Sequence, residues 1–474
     1  MQMVQQKSWK QKLIGDRSFY KMVLGVAVPV MIQNGITNFV SLLDNIMVGR
    51  VGTEQMSGIA IVNQLLLVFN LAIFGAISGV GIFGAQFYGC RNHKGVQQAF
   101  RFKLYICAAF GLLGILVLAR WGEPLILLYL NGENDVQALE ATLEYGKQYL
   151  WVMLFGLLPF TLEEVYASTL RECGETRVPM AAGIAAVCVN LIFNYLLIFG
   201  KLGFPRLGVV GAAVATVISR YVQAAVVILW THTHSGRMPF AAGVYREFGV
   251  PGTLMVKIVK KGTPLMCNEI LWAAGMAVLT QCYSMRGLEA VAALNISSTI
   301  SNLFSVVFMA MGSAISIIVG QLLGAGKMEE ARDTDTKLIA FSVFSCLGLG
   351  GLLILLAPLF PMLYNTTDRV KELAAMLLRV AAGCMPLSAF MHASYFTLRT
   401  GGKTIITFLF DSVFLWCVSI PVAYVLSRFT GFPIVPLYLS CQLLDIIKCV
   451  IGFMLVKKGV WLNNLVEEKG EALP

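Results

Sequence analysis

The sequence predicts an all-α integral membrane protein, with twelve transmembrane helices in two six-helix lobes related by a parallel pseudo-twofold repeat. Three observations carry this. The 474 residues are 57% hydrophobic and only 13% charged, with a mean hydropathy of +0.74, whereas soluble domains carry roughly 25% charged residues. Apolar runs of about 20 residues or more recur along nearly the whole chain, the length needed to cross a ~30 Å hydrocarbon core. The chain also matches itself, gap-free, when displaced by 235 residues.

The runs fall at 24–48, 58–89, 96–119, 148–170, 178–200, 208–230, 258–283, 290–322, 338–360, 374–398, 405–427 and 433–456, with no intervening loop long enough for a soluble domain. The basic start "MQMVQQKSWKQKLIGDRSFYK" leads into an apolar run longer than a signal-peptide core, without an A-x-A-like cleavage site, so the first helix is expected to be retained. Eleven scattered cysteines, mostly inside apolar runs and never as C-x-x-C, read as small buried hydrophobes rather than disulfide or zinc ligands. With the N-terminus inside, the inside segments hold 24 Lys and Arg and the outside loops 8. This bias predicts a multi-pass protein of the cell (inner) membrane with both termini cytoplasmic. No basic stripe is interleaved with aromatics, so nucleic acid is not an expected partner.

Under the 235-residue displacement, Pro29, Met31, Gly52 and Glu54 fall on Pro264, Met266, Gly287 and Glu289. Ile61, Phe69, Ser78, Gln86 and Gly89 fall on Ile296, Phe304, Ser313, Gln321 and Gly324. Later, "STLRECGET" (168–176) aligns with "FTLRTGGKT" (396–404) at a displacement of 228, matching Arg171 with Arg399. Six helices per half is an even number, so both halves enter from the same side, a parallel repeat found in transporters. The expected organisation is an N-terminal lobe at 1–230, a cytoplasmic linker at 231–257 and a C-terminal lobe at 258–474.

Within the first helix, "MIQNGITNFVSLLDNIMVGRVG" places Gln33, Asn34, Thr37, Asn38, Ser41, Asp44 and Asn45 in an otherwise apolar run. At about 100° per residue all seven fall in an arc of about 140°. A mid-membrane Asp costs ~2.5–3.5 kcal/mol on insertion scales and belongs against a bundle interior or a wet cavity. Helix 1 therefore reads as lining a water-accessible chamber. Interhelical hydrogen bonding alone is the other reading; it accounts for the asparagines better than for the acid. On helix 5, Asn190 and Asn194 stand at i, i+4 and share a face. Helix 6 offers Thr216 and Arg220, in a segment opened by the glycine-rich "GVVGAA". Amide oxygens, a hydroxyl and a carboxylate suit Na⁺, or a proton held on Asp44.

The second lobe replaces Asp44 by Leu279 and Asn34 by Glu269. Glu269, beside Asn268 and one turn before Trp272, is either a second proton or cation site or a structural acceptor. Glu163, Glu164, its repeat mate His392, and Asp411 are further candidates for substrate or second-lobe roles. Asp445 and Lys448, at i, i+3, are expected to neutralise each other, and Arg220 and Arg379 to pair with one of these acids.

The chain resembles the multidrug and toxic compound extrusion (MATE) transporters over about 20–457. The resemblance rests on "DNIMVGRVG" closing helix 1, "GAQFYG" and "VGQLLGAG" closing helices 2 and 8, "STLRECGETRVP" after helix 4 and "LGVVGAAVATVIS" on helix 6. It implies two six-helix lobes, V-shaped around a central cavity, exchanging H⁺ or Na⁺ for organic, often cationic, compounds. It also implies an ion site, and a metal site if the ion is Na⁺, at Asp44, Asn190, Asn194 and Thr216. Asn194 stands where one branch has Asp, which leaves one carboxylate fewer. Glu269 resembles a functional Glu of another branch, whereas no acid in the 374–398 run matches the helix 10 acid of some members.

The expected function is an H⁺- or Na⁺-coupled antiporter exporting organic compounds by alternating access. Asp44 would alternate between neutralised and bare, and no cofactor is expected beyond the coupling ion. The expected partners are small organic substrates and the lipid bilayer, with the chain a monomer. The alternative is a flippase of the same superfamily moving a lipid-linked precursor. Enzymes and primary pumps are excluded by the absence of G-x-S-x-G, H-E-x-x-H and G-x-x-x-x-G-K-[ST] segments.

Overall fold

The computed structural model describes residues 13–49, 51–130, 136–364 and 366–467, without the side chains of 40–46, 48 and 49. All regular structure there is helical. Eleven helices are long and apolar enough to cross a membrane, and a bent pair supplies a twelfth. They are α1 (Arg17–Gly49), α2 (Thr53–Gly89), α3 (His93–Leu130), α4 (Val136–Leu154 with Leu157–Glu172), α5 (Arg177–Phe199) and α6 (Val209–Thr233). The second half follows with α7 (Gly252–Ser284), α8 (Leu288–Gly324), α9 (Met328–Leu356), α10 (Asp368–Thr400), α11 (Thr404–Phe429) and α12 (Ile434–Lys458). Each predicted run lies in one of these spans or overlaps it. Most observed helices extend further, because polar turns at the ends keep helical hydrogen bonding beyond the apolar stretch.

Two helices depart from regular geometry for identifiable reasons. The segments of α4 meet at 49° across Phe155 and Gly156. Pro159 follows directly, has no N–H for the carbonyl of Phe155 and crowds it, which breaks the ladder there. In α11, Leu409–Val413 and Leu415–Ser419 are π-helical. The side-chain oxygen of Asn268 on α7 accepts from the Ser412 backbone N–H (3.2 Å) and hydroxyl (2.7 Å), occupying a donor that the widened turn releases.

The chain divides into two compact units. One comprises 32–84 and 92–262; the other comprises 1–31, 85–91 and 263–474. In the first, the connection between α6 and α7 lies along α3, whose residues 97, 101 and 105 share a face. Gln97 donates to the Ala242 carbonyl (2.8 Å), Arg101 to that of Val244 (2.8 Å) and Tyr105 to that of Phe248 (2.6 Å). In the second, buried Gln86 donates to the carbonyls of Thr400 (3.2 Å) and Asn463 (3.3 Å) and accepts from Leu465 N–H (2.7 Å). The core of this unit gathers Phe19, Val23 and Ala27 of α1 with Met311, Ile315 and Ile318 of α8, Leu338 of α9, Leu398 of α10 and Trp461.

The repeat explains the aligned Gln and Gly. A Cβ on Gly89 would strike the Gln321 backbone, and one on Gly324 would strike that of Gln86. The two copies of the motif thus cross reciprocally, each glycine admitting its mate's chain. Most cysteines are buried as expected, while Cys90, Cys188 and Cys417 are exposed. Gly89→Ala is expected to destabilise the protein by about 1–3 kcal/mol through overpacking, seen as a lower unfolding temperature in detergent. Gly351→Ala, where a Cβ meets nothing within 4 Å, is expected to raise that temperature, because Ala suits a helix interior better.

Candidate ion-coupling and transport sites

The first unit brings Asn190, Asn194 and Thr216 together. Asn190 and Asn194 lie one turn apart on α5 and are buried at 5% and 2% exposure. The Asn194 amide donates to Asn190 Oδ1 (3.0 Å), and the Asn190 amide donates to Thr216 Oγ1 (3.3 Å). Thr216 in turn donates to the Ala212 carbonyl on its own helix (3.0 Å). Gly211 lets α6 approach closely, since a Cβ there would meet the Leu197 carbonyl at 2.7 Å. Asp44 lies on α1, but its side chain is outside the described residues, as are those of Ser41 and Asn45.

Further down α1, Gln33 Oε1 accepts from Arg171 Nη2 (3.4 Å), and Arg171 also faces Glu164 (3.9 Å). Gly183 of α5 lies beside Gln33. The Thr37 hydroxyl donates back to the Gln33 carbonyl (2.8 Å). Asn34 is half-buried and Asn38 exposed, and neither makes a side-chain hydrogen bond among the described residues. Glu163 is buried and lies near Gln223 and Arg220. Arg220 donates to the Gly156 carbonyl (3.3 Å) and lies over Phe160 (5.0 Å). Among the described residues it forms no ion pair, so the expected pairing is replaced by a carbonyl and an aromatic face. Arg379 is exposed and likewise forms none among the described residues.

In the second unit, Glu269 faces Arg399 (3.9 Å), whose guanidinium also lies over Tyr395 and Phe396. Arg399 and Arg171 are repeat mates, and each reaches a polar side chain midway along the helix that opens its half, Glu269 of α7 and Gln33 of α1. Asn268 donates to Asp411 Oδ2 (3.0 Å) and to the Tyr395 hydroxyl (3.3 Å). Lys448 does not serve Asp445 alone. It lies between Asp411 (3.5 Å) and Asp445 (3.8 Å), above the Phe414 ring (5.2 Å). His392 packs against Phe308, while Trp272 remains exposed at 40%.

Sequence reasoning missed one further charge cluster. Lys103 on α3, fully buried, donates to Glu172 (2.6 Å), Ser168 (3.1 Å) and Thr169 (3.1 Å) on α4. Gly81 and Gly84 of α2 leave room for the Glu172 carboxylate. The available signal was a lysine inside a helix and an acid two residues after the "STL" of the repeated motif. Among the described residues no group of three or more His, Cys, Asp or Glu side chains could hold a metal.

Twelve apolar helices in two units, with charged and amide side chains paired inside them, define a multi-pass membrane protein. The pattern of the MatE family matches residues 29–196 and 264–425, and the chain belongs to this family, the multidrug and toxic compound extrusion transporters. It is 23% identical over 448 residues to a probable multidrug resistance protein NorM of Thermotoga maritima, covering 94% of both chains. It is 24% identical to a probable multidrug resistance protein YoeA of Bacillus subtilis, covering 87% of this chain and 88% of the relative. A structure of a Vibrio cholerae MATE transporter, VcmN, superposes with a TM-score of 0.84 at 18% identity, covering 94% of this chain and 98% of that one. A Pyrococcus furiosus transporter of the MOP superfamily also gives 0.84 at 18% identity, covering 96% and 99%. At these identities the structural likeness establishes the fold.

Removing one member of the buried Lys103–Glu172 pair leaves an uncompensated charge. Lys103→Met is expected to cost about 3–5 kcal/mol of stability, and the double change with Glu172→Gln to recover most of it. Unfolding of the three proteins in detergent measures both.

Proposed function

We propose that this protein is a secondary antiporter that exports organic, cationic compounds in exchange for H⁺ or Na⁺ by alternating access. The observation that carries this reading is the convergence of Asn190, Asn194 and Thr216 in the unit that also holds the Asp44 segment of α1. Their oxygens are hard donors suited to Na⁺, and their amides can equally orient a carboxyl that holds a proton. The names of the relatives, probable multidrug resistance proteins, support multidrug export. Coupling follows if the ion binds one state of the transporter better than the other. In the second unit Asp411 and Asp445 share the single Lys448, and this surplus of acid beside the Glu269–Arg399 pair would attract cationic substrate.

The bias of 24 inside against 8 outside cations supports cytoplasmic termini in the cell (inner) membrane; the chain would act there as a monomer. The flippase reading is not favoured. It needs a strongly basic cavity for phosphates, whereas Arg399 and Lys448 both face carboxylates.

In proteoliposomes with imposed Na⁺ and pH gradients applied separately, one gradient is expected to drive a fluorescent organic cation. Asp44→Asn is expected to reduce this counterflow about tenfold or more, the effect of losing roughly 1.4 kcal/mol of differential ion binding. Thr216→Val is expected to raise the ion concentration needed for half-maximal transport. Undiminished counterflow in the Asp44 variant would end this reading.

A further inference from the structure

Thr169 and Thr397 are repeat mates, and their hydroxyls stand in the same relation to their own helices. Thr169 Oγ1 lies 2.9 Å from the Val165 carbonyl, and Thr397 Oγ1 lies 2.9 Å from that of Ala393, each four residues earlier. Each also meets a fully buried ionisable side chain from the helix before it. Thr169 meets Lys103 Nζ on α3 (3.1 Å), and Thr397 meets Asp335 Oδ1 on α9 (2.6 Å). In the first unit the accounting is closed, because Lys103 donates to the threonine and the threonine donates to its carbonyl.

A threonine hydroxyl has a single proton. If Asp335 were a bare carboxylate, Thr397 would have to share that proton between Asp335 and the Ala393 carbonyl. Among the described residues Asp335 Oδ2 has no hydrogen-bond partner, and the residue is 0% exposed. Among the described residues no cation lies within ion-pair distance of it. The neighbouring charges are engaged elsewhere, Lys337 with Asp333 (2.7 Å) and Arg399 with Glu269 (3.9 Å). Ala331 and Leu338, one turn to either side of Asp335 on α9, and Ala393 and Leu398, flanking Thr397 on α10, belong to one buried apolar cluster. An isolated buried carboxylate is costly enough that such a group neutralises instead.

We propose that Asp335 is a proton-binding site of the second unit, separate from the Asn190–Asn194–Thr216 cluster. Its carboxyl holds a proton on Oδ1 and donates it to Thr397 Oγ1, while Thr397 donates its own proton to the Ala393 carbonyl. This reproduces the direction of the Lys103–Thr169–Val165 chain. It also balances charge in the same layer by a different means. In the first unit Glu172 neutralises Lys103; the repeat mate of Glu172 is Thr400, and the bound proton neutralises Asp335. The proton ties α9 to α10, and its loss leaves a bare charge within that contact.

The test is the infrared spectrum of the purified, full-length protein near neutral pH, compared with Asp335→Asn and Thr397→Val. The expected result is loss of one carboxylic-acid C=O band in Asp335→Asn, and a shift of that band to higher wavenumber in Thr397→Val. A merely structural role for an ionised Asp335 would instead remove the paired carboxylate stretching bands, which would overturn the proposal. Asp335→Asn keeps a neutral donor of the same shape, so it is expected to fold. Its failure to fold while Asp335→Glu folds would equally overturn the proposal, since the negative charge would then be what the site requires.

Discussion

A charge removed from water must be matched inside the protein, and this constraint orders the interior of both units. Within the spanning helices, Lys103 meets Glu172, Arg171 meets Glu164, Arg399 meets Glu269, and Lys448 meets Asp411 and Asp445. Each contact joins different helices, or residues one or two turns apart on one helix. For the buried Lys103–Glu172 pair, losing one partner would leave the other uncompensated. Helix positions are thereby specified by charge as well as by packing, which matters in a bilayer, where burial of apolar surface gives no preference for one helix neighbour over another.

The internal repeat conserves geometry while leaving charge free to change. The mates Arg171 and Arg399 keep the same reach, but the first finds its acid on its own helix at Glu164, and the second finds it across the unit at Glu269. Gly89 and Gly324 keep the same close approach to Gln321 and Gln86, because a backbone contact tolerates no side chain of any charge. A side-chain pair tolerates any exchange that preserves neutrality, and the two halves have diverged along that freedom.

Much of this was legible beforehand. The twelve spans followed from apolar run length, and the reciprocal crossing was foreshadowed by aligned Gln and Gly residues 235 positions apart. Asn190 and Asn194 were readable as a pair because helical periodicity puts i and i+4 on one face, and Thr216 met them across α5 and α6. Other contacts were not legible. Lys448 was read against Asp445 alone because sequence spacing shows neighbours within a helix; its second acid, Asp411, lies on another helix. The break in α4 depends on Pro159, but Arg220 and Val217 packed beside Gly156 at that break come from α6, which no local pattern contains. The π-helical turns of α11 depend on Asn268 supplying an oxygen from α7.

That last contact bears on how the second unit is built around its acids. A π-turn advances side chains by less than 100° per residue, so it re-aims Asp411 relative to a regular helix. Asn268 then holds both consequences at once: its oxygen takes the Ser412 N–H, and its amide takes the Asp411 carboxylate. With Asp411 turned inward, Lys448 can lie between it and Asp445 while its ammonium rests on Phe414. A regular α11 would direct Asp411 elsewhere and leave Lys448 with one acid. The irregular backbone of α11 and the shared lysine of α12 are therefore one feature, and the buried amide of Asn268, a residue apolar periodicity would have placed on a helix face and no more, is what joins them.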